Sequence, residues 1–588
     1  MGLVGRLVEQ SQTRVEGANF DVRKHLLEYD DVLNNQRGKI YAQRNRIFTK
    51  DDLTDDVTEM LRDEVNRRVP ESLEDDSGPW KLLSWLGQIQ PPISVNGFVY
   101  PPYSYQLLVD HLSSTLPPGA DRQALRDSLL AIVKDSLEAE KAYIITTVEN
   151  VLFQAQSRLE VQLSERLDLL DTYLEGLTFA DETDNRGSAE ILVDLTSTIH
   201  FPVKLSSSEQ KYLQDDPEGV KNIIRDQIEA ESTSQAVARL IGAIERRIEE
   251  PLDVNAKQLQ TDDWDTINIK VLTAVAAIYD KRLQRYLGEG GQITKDLDNA
   301  LPQVHGPIDQ QVLLQLLLLL PQGSRATFDK KNHRRTWQRT TRFTYFYYVD
   351  RFLENRELDE IRQDVLNHLE KAHEFMRQIW GQAEFNRLAS SSITNLDDRT
   401  RTDIMNALGD QVFEQFENKS LQDLEEDVKE IILNELGRRS LTEIYRQLLL
   451  RVITELWVDY LTQMEALRVT IGLEAYAQRD PLVQYKNKAY ALFQELMDNM
   501  RLSVVTRMFT FRPRDISSVQ TASNREQTLA EESITVVESA LQPAEIPVAV
   551  PEPVPETASQ GVEGQGAQTG PQQPTKSTKQ KRRRRRRK

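Results

Sequence analysis

Few residue types in this chain are placed to do covalent chemistry. There is no cysteine among 588 residues, which excludes disulfides, thiol nucleophiles, Fe–S clusters and cysteine-ligated zinc. The seven histidines (25, 111, 200, 305, 333, 368 and 373) are scattered. His368 and His373 stand five apart, off the i, i+4 spacing that puts two metal ligands on one helical face. The acidic pairs Asp30–Asp31, Asp51–Asp52 and Asp55–Asp56 read most simply as solvated helix faces and caps. Nothing sets up a Ser-His-Asp relay or a glycosidase-type carboxylate pair above background. A phosphate-cradling loop needs G-x-x-x-x-G-K-[ST], whose backbone amides hold phosphates while its Lys and hydroxyl hold the terminal phosphate and metal. The nearest stretch, GEGGQITKD at 288–296, places no Lys-Ser/Thr behind its glycines. ATP hydrolysis by this chain alone is not expected.

Binding chemistry is better represented. Lys and Arg total 73 against 92 Asp and Glu, a net charge of −19. Ten bases fall in the last thirteen residues: Lys576, Lys579, Lys581, Arg582, Arg583, Arg584, Arg585, Arg586, Arg587 and Lys588, and the rest of the chain carries −29. The acidic body should not bind nucleic acid as a whole, whereas the tail can. Each Lys or Arg near an anionic bilayer gains about 1 kcal/mol, so the tail suits anionic lipids. Counterion release also lets it bind ribosomal RNA, and a plain solubility tail is the bland alternative; of the three, the membrane reading is preferred. A second stretch, DKKNHRRTWQRTTRFTYFYYVDRF (329–352), interleaves bases and aromatics. As a strand it puts Trp337, Arg339, Thr341, Phe343, Tyr345, Tyr347 and Val349 on one face. Aromatics beside arginine can stack single-stranded nucleic acid, but the run fits a buried sheet face better, so a packed strand or hairpin is expected.

The elements that must carry these groups are helices. Gly 25 and Pro 23 are low for this length, and seven of the prolines follow residue 513. The first 513 residues are therefore short of breakers, which favours helices over a sandwich or barrel. The longest apolar run, Val312–Leu320, has nine residues including Gln315, against about 20 for a membrane helix. The first residues lack a signal-peptide core, and Arg6 occupies the Ser/Thr position of a myristoylation motif. The chain reads as cytoplasmic. Val22, Leu26, Tyr29, Leu33, Gln36, Ile40, Gln43 and Ile47 alternate spacings of 4 and 3, a 3.5-residue seam. A helix of about 30 residues there rises roughly 45 Å and should act as a spine.

Breakers at GPW, QPP and YPPYSY predict a loop-rich connection at about 77–104. Residues 105–300 read mostly as amphipathic helix, with breaks at 181–188 and 287–292, and a long helical stretch covers 353–388. Farther on, two apolar stripes appear. Tyr445, Leu449, Val452, Leu456, Tyr460, Met464 and Leu467 form one; Tyr485, Ala489, Leu492, Leu496, Met500, Val504 and Met508 form the other. Gly472 can stop the first helix, and Asp480–Pro481 can start the second. The two should fold as an antiparallel hairpin whose tip exposes Leu473, Tyr476, Gln478 and Arg479. Residues 514–575 are rich in Ser, Thr, Gln, Pro, Glu and Gly and read as disordered.

Three stretches resemble one family. RVEGANFDVRKHLLEYDDVLNNQRGKIYAQRN (14–45), LLLRVITELWVDYLTQMEALR (448–468) and IGLEAYAQRDPLVQYKNKAYALFQELMDNM (471–500) look like the C-terminal part of the SecA preprotein translocase ATPase. The first resembles the long helix of its helical scaffold, the others its two-helix finger. Val469 and Thr470 stand where the family has Gln–Gly, and Glu474 where it has Arg. The resemblance implies a mainly α fold: a long scaffold helix, an enlarged helical wing, an antiparallel two-helix finger and a disordered tail. Residues 1–13 would end the second motor lobe, 14–50 begin the scaffold, and 51–438 form the wing with an insertion at about 115–400. Residues 439–513 would complete scaffold and finger, and 514–588 form the linker and polybasic tail.

The resemblance also implies a function. The nucleotide-binding lobes and preprotein-crosslinking domain would precede residue 1, and ATP and Mg would be bound there, with no cofactor in this chain. The family's C-terminal zinc motif is missing, since it needs cysteines. The chain would couple ATP-driven motor movement to preprotein translocation across the cytoplasmic membrane. Its partners would be a SecA-type motor half, a protein-conducting membrane channel and unfolded preproteins, touched by the finger loop at Tyr476. It would sit in the cytoplasm, peripheral at the inner face of the membrane. The alternative is a non-catalytic helical adaptor tethered to membrane or ribosome by its tail.

Overall fold

A computed structural model describes residues 3–512 apart from 75–77, 96–97, 118, 179–186, 261, 305–306, 330–332 and 472–479. The fold is mainly α. The first helix, α1 (Leu3–Thr49), runs 47 residues without a break, about 70 Å at 1.5 Å per residue. Only its second half is seated. Gln36, Ile40 and Ile47 are buried, while Val8, Val15, Phe20 and Leu27 are exposed. The side chains of Val22 and Leu26 lie outside the described residues.

Beyond α1 come α2 (Thr54–Leu73), α3 (Trp80–Ile89), the hairpin β1 (Ile93–Val95) and β2 (Phe98–Tyr100), and α4 (Tyr103–Thr115). The loop expected at 77–104 is therefore corrected: it holds a helix and a small hairpin. Pro79 and Pro102 directly precede helices, where a fixed φ and a missing N–H do little harm. Leu82, Leu83 and Leu86 give α3 a buried face.

The next helix, α5 (Arg122–Thr178), spans 57 residues, about 85 Å. It holds no proline, so nothing interrupts its ladder. Its first turns (Leu125, Leu129, Val133) join the main core. Ile144, Val148 and Leu152 pack against α8 (Pro217–Ile248) and α9 (Trp264–Leu287). Leu170 and Leu174 pack with α6 (Ser188–Thr198), α7 (Ser207–Asp215) and the start of α8. These helices form an arm with two apolar clusters of its own. The chain returns through α10 (Gln292–Ala300) and α11 (Gln310–Leu319); the break read at 287–292 is present.

The strand pair β3 (Gln322–Asp329) and β4 (Arg334–Thr341) follows, then α12 (Phe346–Val349). Of the packed strand or hairpin expected here, a hairpin forms, but its packing and its extension to 349 are corrected. β4 is solvent-exposed nearly throughout, and the strand ends at Thr341. The chain then turns inward, burying Phe343 and Tyr345, and the aromatic run becomes a short helix whose Tyr347 stacks on Tyr143 at 4.2 Å.

A second arm pairs α13 (Leu358–Leu388) with the start of α16 (Glu426–Thr470), bridged by α14 (Asp398–Leu408) and α15 (Asp410–Phe416). Here the backbones nearly touch. A Cβ on Gly381 would lie 2.2 Å from the Leu433 carbonyl, and one on Gly437 2.3 Å from the Arg377 carbonyl, so only glycine permits the crossing. The last described helix is α17 (Pro481–Arg507).

Candidate functional site

The expected helical hairpin forms from the C-terminal half of α16 together with α17. Tyr445, Leu449, Val452, Tyr460 and Met464 are buried on α16, facing Tyr485, Ala489, Leu496, Met500 and Val504 of α17. Leu456, Leu467 and Leu492 pack at the margin. Asp480 starts α17 as its sequence implies: the carboxylate accepts from the amides of Leu482 (2.9 Å) and Val483 (3.4 Å), with Pro481 in the first turn. That satisfies two of the amide donors left orphaned at a helix start.

The seated half of α1 packs against both helices. Gln36 joins all three. Its side-chain amide donates to the Ala489 carbonyl at 3.2 Å, and its Oε1 accepts from the Tyr460 hydroxyl at 2.6 Å. A polar residue inside an apolar heptad seam sacrifices some stability and fixes register. A slip would strand these groups, at about 1–3 kcal/mol for each buried partner left unpaired. Around Gln36, Tyr29 meets Tyr485 at 4.6 Å between centroids, and Tyr460 stacks on Trp457 at 5.3 Å. Burial pushes the Tyr485 hydroxyl up to about 12 and raises Tyr460 as well, so both stay neutral donors.

The C-terminal end of α1 is held from α16. Arg446 donates through Nε to the Ile47 carbonyl at 3.1 Å and through Nη2 to the Lys50 carbonyl at 2.9 Å; Nη1 reaches Glu443 at 2.7 Å. A cation on the last carbonyls of a helix satisfies orphan acceptors and complements the helix dipole. Next to it, Asp52 receives the Thr54 amide at 2.8 Å and faces Arg438 at 3.3 Å. Burial pushes the Asp52 carboxyl up, but the hydrogen bonds from Thr54 and Arg438 outweigh it and hold it below the usual carboxylate range. Asp56 pairs with Arg46 at 2.7 Å and Lys50 at 2.5 Å. Asp52 and Asp56 are thus engaged at the start of α2 and in ion pairs.

The tip is bounded by Val469, 74% exposed, and Val483, 49% exposed. The loop residues Leu473, Tyr476, Gln478 and Arg479, and the ten bases of the tail from Lys576 to Lys588, lie outside the described residues. The sequence seam included Gln36 without revealing its two partners, and Arg446 was missed entirely. The signal for Gln36 was a polar residue in an apolar stripe; nothing local marks Arg446. Among the described residues no group of three or more His, Asp or Glu is placed to hold a metal ion. No described helix is long and apolar enough to cross a membrane.

The sequence model of the SecA wing and scaffold domain matches residues 1–173 and 328–512. The chain belongs to this family. Among the similar curated proteins are protein translocase subunits SecA. That of Syntrophus aciditrophicus is 48% identical over 82 residues, 14% of this chain and 10% of the relative. That of Chloroflexus aggregans is 39% identical over 123 residues, 19% of this chain and 12% of the relative, and that of Herpetosiphon aurantiacus is 52% identical over 73 residues, 12% and 7%. Each match thus spans 7–12% of the relative's length. No solved structure matches the chain. The matched segments contain α1, α16 and α17 whole; the unmatched residues 174–327 contain α6 to α11.

Proposed function

We propose that this chain is the scaffold, wing and two-helix finger portion of a SecA-type protein translocase, coupling the movement of an ATP-hydrolysing motor to the passage of an unfolded preprotein through a membrane channel. The observation that carries this reading is the α16–α17 hairpin locked to α1 through Gln36, in a member of the SecA wing and scaffold family. A push delivered along α1 reaches the hairpin without slack, because Gln36 and Arg446 tie the seated half of α1 into α16. Residues 14–50 and 439–513 act as scaffold and finger, and 51–438 as the wing. Tyr476 meets the client, with Leu473, Gln478 and Arg479 beside it. ATP and Mg are bound by motor lobes outside these residues. The polybasic tail holds the assembly against anionic lipids at the inner face of the membrane.

Mixing the chain with the ATP-hydrolysing lobes of a SecA-type motor should raise preprotein-dependent hydrolysis; the absence of both binding and stimulation would refute the reading. Tyr476→Gly should slow translocation into vesicles and leave the melting temperature alone, and unchanged transport would remove Tyr476 from the mechanism. Removal of residues 576–588 should abolish flotation with anionic liposomes; if flotation persists, the lipid role of the tail fails.

A further inference from the structure

The β3–β4 hairpin plays no part in the mechanism above, and its surface chemistry is unusual for this molecule. Residues 330–342 contain six Lys or Arg and no Asp or Glu, on a chain body that is otherwise strongly acidic. Trp337 is 75% exposed, the most exposed of the large hydrophobic side chains among the described residues. Successive residues of a strand alternate faces, so Arg335 and Arg339 share the face of Trp337, one on each side. The register sets Ala326 opposite Trp337 and Ser324 opposite Arg339. The residues directly opposite Trp337 and Arg339 are therefore small, and the indole itself stays open to solvent. Both arginines are exposed, and no ion pair engages either of them among the described residues. The sheet has two strands, so β4 keeps one edge unpaired.

We propose that this face of β4 binds single-stranded nucleic acid, with one base stacked on Trp337 and the flanking phosphates on Arg335 and Arg339. Two residues of strand rise about 6.8 Å, so the two arginines stand about 13.6 Å apart along β4 with the ring midway, and their long side chains have the length to lean inward to the phosphates on either side of a splayed base. An exposed ring between cations is the stacking platform that single strands use. A duplex hides its base faces from such a ring. An acidic peptide could pair with both arginines but offers nothing planar for the indole. The acidic body repels a polyanion elsewhere, which confines the strand to the hairpin and to the tail.

The test is fluorescence anisotropy of a labelled twelve-nucleotide oligouridine with the full chain across a salt series. The tail binds too, so the comparison is between variants with the tail intact. Trp337→Ala should weaken binding about 5- to 100-fold, as loss of a stacked base does, and Trp337→Phe should keep most of the affinity. The double variant Arg335→Gln, Arg339→Gln should flatten the slope of log affinity against log salt by about 1.4, from roughly 0.7 for each phosphate contact on a single strand. Trp337 is exposed, so melting temperatures should match. Affinity of Trp337→Ala within twofold of the parent, or an unchanged salt slope in the arginine variant, would overturn the proposal by leaving all binding to the tail. Labelled polyglutamate losing affinity on Trp337→Ala by the same factor would overturn it too, assigning the face to acidic polypeptide.

Discussion

The seam of α1 with α16 and α17, and the arm of α5 with α8 and α9, are both long helices packed on partners, yet they are secured differently. In the seam the polar anchors sit inside one continuous apolar cluster: Gln36 lies between Leu33 and Ile40, and Arg446 closes the far end. In the arm the polar contact falls between clusters. Arg166 donates to Ser232 at 2.7 Å, with Leu170, Ile224 and Ile228 on one side and Leu152, Val237 and Leu240 on the other. The first arrangement fixes register and joins the three helices as one body. The second breaks the arm's core into units able to open separately.

The largest effect should come from deleting a core methyl group set in each region. Ile40→Ala and Ile241→Ala should each cost about 2–5 kcal/mol locally. Hydrogen exchange should place the two losses differently. Ile40→Ala should lower protection along α1, α16 and α17 together, whereas Ile241→Ala should act on α8 and α9 and leave α17 protected. Equal, global loss in both would erase the contrast.

Acid should strike the core that contains the seam. His368 is buried, its Nε2 2.9 Å from Gln90 Oε1, and burial pushes its pKa down to about 4. The unfolded chain takes up this proton near pH 6.5, so the stability is fully present above about 6.5 and is lost as pH falls toward 4, about 3 kcal/mol in all. Asp350, lifted by burial to about 6, works in the opposite direction. The measurement is therefore the difference between parent and His368→Gln: denaturant midpoints at pH 7 and 4.5 should move less in the variant. An identical shift would remove His368 from the account.

Gln36→Leu should cost about 2 kcal/mol by leaving the buried Tyr460 hydroxyl unpaired. Adding Tyr460→Phe should recover part of that loss, and strictly additive losses would mean no coupling. The smallest effect belongs to the outer face, where Glu455 meets Arg451 and Arg507, each at 2.8 Å. These groups are exposed enough that Arg507→Gln should change stability by under about 0.5 kcal/mol, vanishing at high salt.

The seam was readable in the sequence because its period is long and unbroken, and α17 because Asp480–Pro481 is a local signal for a helix start. Other elements were not. Prolines at 79, 91, 92, 101 and 102 looked like breakers, but Pro79 and Pro102 introduce helices. Alternation in 337–349 predicted a packed strand or hairpin; a hairpin forms, but β4 is exposed and the chain turns after Thr341 to bury Phe343 and Tyr345. Arg446 and the Gly381–Gly437 crossing depend on partners far away in sequence, which no local pattern encodes.

The most direct test of the account is the amount of preprotein translocated per ATP hydrolysed when the chain is combined with the ATP-hydrolysing lobes of a SecA-type motor. With Gln36→Leu, assayed below its melting temperature, hydrolysis should continue while translocation per ATP drops several-fold, because the hairpin no longer follows α1. An unchanged ratio would contradict the claim that the Gln36 bridge carries the stroke.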